Sequence, residues 1–467
     1  MAIIRVSICF AIASAMLLSA AGEFKAGTAA VVITPKDGTP MAGYYSMRAA
    51  DGVLDDLHAK AIVVEQDGAK AAFVALDLIT VTRPIVVAAR KLIAEQTGIA
   101  PERVMISATH SHTGPVLARE GMLDDLMGGK TPAAQEFGGG LPALIAHCVA
   151  EANAKLAPAR ALATLGREEQ LSFNRRFFMQ DGSVSWNPAK LDKRIVRPAG
   201  PIDPDVGVLY FESAEKKPAP LAMYVNFAMH PDTTGGTKIS ADYPYYLSKR
   251  LAEYKGDTML TLFANGCCGN INHRNVAWAD PQHGPRESER IGTVLAGAVL
   301  SSVPNLEALT TYAPRAASTP VKLPLPKFTE AQIEEAKTIA RKMSDPKIGT
   351  VEKAKAFCIL DVVAREGAPL EVEVQVIALS DEMAVVSLPG EIFVELGLAI
   401  KKASPFKHTF IAELANGSIG YIPNAPAYAQ GNYEVFSARC AEGAGEMLVE
   451  AAGKLLKELR GAKEKQK

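Results

Sequence analysis

The chain has 467 residues, a formal net charge of −1, 48% hydrophobic residues and 22% charged residues. That balance excludes the basic excess that marks a nucleic-acid partner or an anionic membrane surface. At about 100–200 residues per domain the length allows two or three structural units.

The N-terminus is read first. Met1 to Arg5 is short and basic, Val6 to Leu18 is mostly apolar, and Ser19-Ala20-Ala21 is a small-x-small cleavage pattern. The apolar run is shorter than the roughly 20 residues that span a bilayer. It is expected to be a secretory signal, residues 1–21, cleaved near Ala21, so that the protein is exported to a periplasm or secreted. No later stretch is long and apolar enough to be a transmembrane segment. Five cysteines then remain, Cys148, Cys267, Cys268, Cys358 and Cys440, and no CxxC spacing suggests a cysteine zinc site. Cys267-Cys268 reads as two buried thiols in a tight turn, with a vicinal disulfide as the alternative.

Periodicity predicts strands over Gly27–Pro35, Lys60–Gln66 and Ala71–Leu78, and a helix over Arg83–Thr97 ending at Gly98. Another strand, Arg103–Ser107, runs into His110-Ser111-His112-Thr113-Gly114-Pro115. Gly121–Gly140 reads as a loop and Pro142–Leu156 as a helix. Strands follow at Ala161–Gly166, Val206–Glu212 and Pro220–Ala228, the last running into His230. Asp242 caps a helix to about Tyr254, Met259–Ala264 is a strand, and Glu287–Ser302 is a helix. Thr311–Pro326 carries several prolines, reads as an edge strand with its connection, and marks a subdomain boundary. Beyond it come a charged helix (Glu330–Met343), a strand pair (Glu371–Leu379, Met383–Leu388) before Pro389-Gly390-Glu391, a helix (Glu395–Ala403), and a strand (Thr409–Leu414). Residues 22–460 are thus expected to form one unit of mixed α/β (α+β) class, with mixed sheets flanked by helices and a charged tail at 461–467. No internal repeat is evident.

Four apolar strands end in groups that bind or polarise a metal: His110, His230, Glu391 and Tyr421. Imidazole is the commonest metal ligand and proton shuttle near neutral pH. Two imidazoles and a carboxylate suit zinc with a position left open for water or substrate. Each residue taken alone also has an ordinary structural reading, and the ligand reading requires all four to meet in space. His58 at a strand start, His283 in a turn, His147 and His408 read as packing or surface residues. Asp77, at a strand end, is a candidate partner for a ligand histidine.

Thr109-His110-Ser111-His112-Thr113-Gly114-Pro115 resembles the THTHSGP signature of the neutral/alkaline ceramidase family. Asn226-Phe227-Ala228-Met229-His230-Pro231 is similar to its second histidine segment, and Pro389-Gly390-Glu391 to its PGE segment. Gly420-Tyr421 with Tyr433 matches its paired tyrosines, Asn174-Arg175 its NR segment and Met41-Ala42-Gly43-Tyr44 its MxGY loop. The six occur in the family's order over about Gly27 to Ala438. The resemblance implies one zinc per chain held by His110, His230, Glu391 and Tyr421. It implies His112 as acid/base, with Arg175 and Tyr433 polarising the substrate carbonyl and Gly43 lying against the substrate. The reaction would be hydrolysis of an amide, in the family the N-acyl bond of a sphingoid lipid, so the partner is a small-molecule or lipid substrate. Tyr44 and His273 are added as candidate substrate contacts.

The chain also departs from the family. Where the family has GDVSPN, with its active-site serine, this chain has Cys268-Gly269-Asn270-Ile271-Asn272. Aligned on the last asparagine, Asn270 takes the serine's place and is expected to donate a hydrogen bond in catalysis. No strand-rich segment remains for the family's C-terminal β-sandwich. The departures open two other readings: a zinc hydrolase of another ester, N-acyl or carbohydrate-derived substrate, and an exported binding protein that has lost catalysis.

Overall fold

The computed structural model describes residues 22–117, 126–343, 345 and 347–461. The expected signal segment, the start of the glycine-rich loop and nearly all of the charged tail lie outside the described residues.

In chain order the main strands begin with β1 (Lys25–Val32), β2 (His58–Gln66), β3 (Ala69–Leu76) and β4 (Val104–Ala108). They continue with β5 (Ala157–Arg167), β6 (Asp205–Ser213), β7 (Pro220–Phe227) and β8 (Leu260–Asn265). These eight lie side by side in the order β8-β7-β6-β5-β1-β2-β3-β4, with Glu307–Ala308 joined to β5. A second sheet has the order β9 (Tyr312–Leu323), β10 (Leu370–Ser380), β11 (Met383–Ser387), β12 (His408–Ala412). The helices are α1 (Arg83–Thr97), α2 (Pro132–Ala154), α3 (Tyr243–Lys255), α4 (Pro285–Ser302), α5 (Glu330–Arg341), α6 (Thr350–Val363), α7 (Val394–Ala403), α8 (Ala425–Gln430), α9 (Tyr433–Phe436) and α10 (Ala444–Gly461).

The two sheets stack face to face with helices outside, in α-β-β-α layers. Successive side chains of a strand point to opposite faces. In β3, Ala72, Val74 and Leu76 therefore meet α1 and α2, while Ala71, Phe73 and Ala75 face the second sheet. In β10, Val374 and Val376 meet α7 and α10, while Ile377 and Leu379 enter the layer between the sheets. Burial on both faces explains why these strands read as continuous apolar runs.

A topological repeat underlies this arrangement, although the sequence shows none. Three ββαβ units occur: β2-β3-α1-β4, β6-β7-α3-β8 and β10-β11-α7-β12. In each, the first two strands pair antiparallel and the third lies parallel to the second. Polar groups after the second strands are Asp77, His230 and Glu391; those after the third are His110, Cys268 and Glu413. Loops at the carboxyl ends of parallel strands in open sheets are where ligands bind.

Some local expectations are corrected. Helix α2 starts at Pro132 and carries Gly138-Gly139-Gly140 and Pro142 inside it. The Thr131 side chain caps Ala134 N–H, Pro132 sits in the first turn, and Leu141, Ile145 and Val149 bury against the first sheet. That packing outweighs the glycine cost of about 1 kcal/mol per residue. Helix α6 was not anticipated; with α5 it forms a helical insertion between β9 and β10. The segment expected to be a boundary is β9, an edge strand that among the described residues pairs only with β10. Its Tyr312 ring stacks on Phe24, the residue before β1, at 4.0 Å between centroids. No helix among the described residues is long and apolar enough to cross a membrane.

Candidate metal centre and active site

The turn after β4 brings two imidazoles together. His110 has φ 75°, a left-handed conformation that only a well-determined surrounding maintains. Its backbone N–H donates to Leu78 O at 2.8 Å, which bends the chain and turns the ring inward. His112 N–H donates to Pro231 O at 3.2 Å, tying this turn to the loop after β7. From that loop comes His230. The ring centroids of His110 and His230 are 4.6 Å apart and those of His110 and His112 are 4.8 Å apart. All three histidines are buried.

The hydrogen bonds define the tautomers. His110 Nδ1 donates to Ile79 O at 2.8 Å, His112 Nδ1 to Gly43 O at 3.0 Å, and His230 Nδ1 to Cys268 O at 2.9 Å and Ile271 O at 3.0 Å. With every Nδ1 bound to a carbonyl, the three Nε2 atoms turn toward one another. His110 Nε2 lies 3.3 Å from His112 Nε2. The Glu391 Oε2 atom is 3.4 Å from His110 Nε2 and 3.2 Å from His230 Nε2. Convergent imidazole lone pairs around a half-buried carboxylate repel one another unless a cation lies between them, and outer hydrogen bonds of this kind orient metal-binding histidines. The donor set thus fits a divalent metal, and the ligand atoms of His110, His112 and His230 lie within 4.8 Å of one another.

Protonation tendencies follow from this geometry. Burial pushes the His112 imidazole down to about 3, and neighbouring His110 adds to the shift. Burial and the Arg175 guanidinium hold His230 well below its ordinary range. For His110 the burial cost is outweighed by the Glu391 carboxylate, so its pKa rises. Burial likewise opposes ionisation of Glu391, but His110 and His230 hold its carboxyl well below the usual range.

Glu391 begins a two-residue strand that pairs parallel with Tyr421–Ile422, placing Glu391 opposite Tyr421. Burial and the neighbouring Glu391 carboxylate push the Tyr421 phenol well above its ordinary range, against the Arg175 guanidinium, which stands 5.4 Å from its ring centroid. Tyr433, at the start of α9, packs its ring 5.4 Å from Tyr421, stacks on Trp186 at 4.3 Å, and meets the Tyr45 ring edge-on at 6.5 Å. Arg175 approaches His230 Nε2 at 3.3 Å and donates to Gly269 O at 2.7 Å. Its Nε also donates to Glu434 at 2.8 Å, and Arg176 Nη1 donates to the same carboxylate at 2.8 Å. Glu434 is fully buried between the two guanidiniums.

A pocket of about 140 Å³ opens onto this cluster. Ile79, Val116, Leu117 and Met127 form an apolar side, and His110, His112, Glu391, Tyr421 and Tyr433 also line it. Gly43 and Tyr44 line it too. Gly43 has φ 106°, and a Cβ there would meet His112 Cβ, Nδ1 and O at 2.9 Å, so it seats His112 as well as walling the pocket. The Tyr44 hydroxyl donates to Asp232, whose Oδ1 stands 3.6 Å from His112 Nδ1.

Two expected contacts lie elsewhere. Asn270 is buried, with Oδ1 accepting from Val394 N–H at 2.8 Å and Nδ2 donating to Glu395 at 2.9 Å. Its amide is spent on the start of α7 and does not line the pocket. His273 bonds Gln282 O at 2.7 Å and is also absent from the pocket lining. Asp77 holds the backbone N–H of His58 and the Lys60 ammonium, while the Ile79 carbonyl orients His110. Cys267 and Cys268 are free thiols. Cys268 Sγ donates to Glu413 at 2.8 Å and lies 3.1 Å from His230 Nδ1. Burial pushes the Glu413 carboxyl up to about 8. Glu413, Glu434 and Asp232 carry no local sequence signal, since each finds its partners through long-range contacts.

No family model matches the chain, and no curated protein matches it. Solved structures do. The crystal structure of neutral ceramidase from Pseudomonas aeruginosa aligns with a TM-score of 0.72 at 18% identity, covering 94% of this chain and 75% of that one. A ceramidase complexed with C2 aligns with a TM-score of 0.71 at 18% identity, covering 94% and 76%. The chain has the neutral ceramidase fold.

Proposed function

We propose that this chain, built on the neutral ceramidase fold, is a metal-dependent hydrolase that cleaves an N-acyl amide. The observation that carries the reading is the convergence of three imidazole Nε2 atoms and the Glu391 carboxylate at one wall of a partly apolar pocket. His110, His230, Glu391 and Tyr421 would hold one zinc ion. When bound, the ion supplies a Lewis acid that polarises a carbonyl and makes water a better nucleophile at neutral pH.

The remaining steps belong to the chain's own groups. Neutral His112, its Nδ1–H held by Gly43 O, presents Nε2 to accept the proton of the attacking water and to return it to the departing nitrogen. Tyr433 and Arg175 are the donors for the negative charge that develops on the carbonyl oxygen, where one good donor is worth about 3–4 kcal/mol. Ile79, Val116, Leu117 and Met127 receive the acyl chain and exclude water from it. Asn270 takes no step, because its amide is already committed to α7. Export after cleavage near Ala21 belongs to the same proposal.

The test combines metal content with turnover. Purified protein should contain one zinc per chain, and His110→Ala and Glu391→Ala should lose it. Ceramide and a panel of simpler N-acyl amines and esters are assayed before and after chelation. Undiminished zinc in both variants overturns the ligand assignment, and turnover insensitive to chelation overturns the metal chemistry. Cleavage of esters alone moves the protein to a different substrate class.

A further inference from the structure

The pocket has a polar side that the reaction described above does not use. Arg439, in the loop between α9 and α10, lines the same pocket as His110 and Glu391, with its side chain 21% exposed. Its Nε and Nη2 donate to Asp361 Oδ2 of α6 at 3.0 and 2.6 Å. Nη1 is left with a long 3.5 Å contact to Ile419 O. Gly420, at φ 83°, lies against it, since a Cβ there would stand 2.8 Å from Nη1. Ser418 also lines the pocket. Its Oγ accepts from Gly420 N–H at 3.4 Å, leaving the hydroxyl proton available. Two donors thus lie on one wall, beside Tyr45, Ser437 and the apolar α6 residues Ala354 and Phe357.

The charge balance decides what those donors suit. Asp361 pairs with Arg439 from behind the pocket lining, so the wall has little net charge and offers a carboxylate no net counter-charge. An uncharged oxygen needs no counter-charge and satisfies the donors. The wall also adjoins Tyr421 through Gly420 and Tyr433 through Tyr45, whereas the Ile79, Val116, Leu117 and Met127 side suits an acyl chain. We propose that Arg439 is a specificity-determining residue that hydrogen-bonds a hydroxyl on the amine portion of the substrate. The assignment of amine and acyl portions rests on the amide-hydrolase reading.

Binding and turnover are measured separately on the full chain. N-decanoylethanolamine and N-decanoylpropylamine differ only in exchanging a hydroxyl for a methyl group. Titration calorimetry should show the wild type favouring the hydroxyl ligand about tenfold. Arg439→Met should bring the ratio within about twofold, and Arg439→Lys, which keeps a donor, should retain part of the preference. Asp361→Asn, which leaves the guanidinium unbalanced, should shift preference toward N-decanoylglycine, and this variant decides the matter if Arg439→Met does not fold. Equal binding of the pair by the wild type overturns the proposal, as does an unchanged ratio in folded Arg439→Met or an unaltered order of ligands in Asp361→Asn. If the binding preference holds while neither amide is cleaved, the subsite stands and the hydrolase reading fails.

Discussion

Replacing Glu434 with glutamine tests the charge balance behind the imidazoles. The wild-type carboxylate is fully buried and accepts from Arg175 Nε and Arg176 Nη1, each at 2.8 Å. An amide in its place leaves two buried guanidiniums without a counter-charge. Breaking a buried ion pair in this one-sided way costs about 3–5 kcal/mol. Unfolding entropy near 2.1 cal/mol/K per residue makes 1 kcal/mol worth about 1 °C in a chain of this length, so Glu434→Gln should melt about 3–5 °C lower in calorimetry. Arg176→Met is the control: it leaves Arg175 and Glu434 as a balanced pair and should cost less, even with the loss of its contacts to Gln430 and Gly431. Arg175 also stands 3.3 Å from His230 Nε2. With its counter-charge gone, that guanidinium stands uncompensated beside a nitrogen proposed to hold zinc, so Glu434→Gln should also bind zinc more weakly than wild type. A Glu434→Gln melt within about 1 °C of wild type refutes the charge argument, and so does Arg176→Met proving the costlier change.

Other perturbations read other parts of the site. Gly43→Ala places a Cβ 2.9 Å from His112 at a positive φ; it should cost about 1–3 kcal/mol and depress kcat, and a variant with wild-type stability and turnover would contradict the seating of His112. Tyr433→Phe should lower kcat by about 100-fold with KM little changed, so a change confined to KM would remove Tyr433 from the carbonyl's donors. Glu373 binds Arg83 at 2.7 Å and Arg90 at 2.9 Å; burial raises its pKa, but the two guanidiniums outweigh that and hold the carboxyl below the usual range. A depressed folded pKa stabilises above the unfolded value of about 4.3 and is lost as pH falls through the folded one. The melting gap between wild type and Glu373→Gln should therefore be full at neutral pH and close in acid, and a gap that widens on acidification would reverse the sign.

Much of the scaffold was legible because burial on both faces of the sheets writes long apolar runs into β2, β3, β7 and β10. Helix α2 was misplaced because glycine propensity is local, whereas the face of Leu141, Ile145 and Val149 is fixed by the sheet beneath it. The threefold ββαβ repeat left no trace in sequence, since strand pairing constrains hydrophobic pattern and length but not residue identity.

The site divides along the same line. The sequence by itself determined which residue types stand at strand ends: the His110-Ser111-His112 turn, His230, Glu391 and Tyr421 are local features of segments that fold as strand and turn. It could not determine where side chains point or what lies behind them. Asn270 was read as facing the substrate, yet its amide caps a helix 124 residues further along the chain. Glu434 meets Arg175 across 259 residues. Only the tertiary structure decided that three Nδ1 atoms face carbonyls, so that three Nε2 atoms face one another. It also paired Arg439, on the pocket wall, with Asp361 behind it. Hydrogen-bond direction and charge balance depend on neighbours in space, and those neighbours come from all three repeats and from the helices around them.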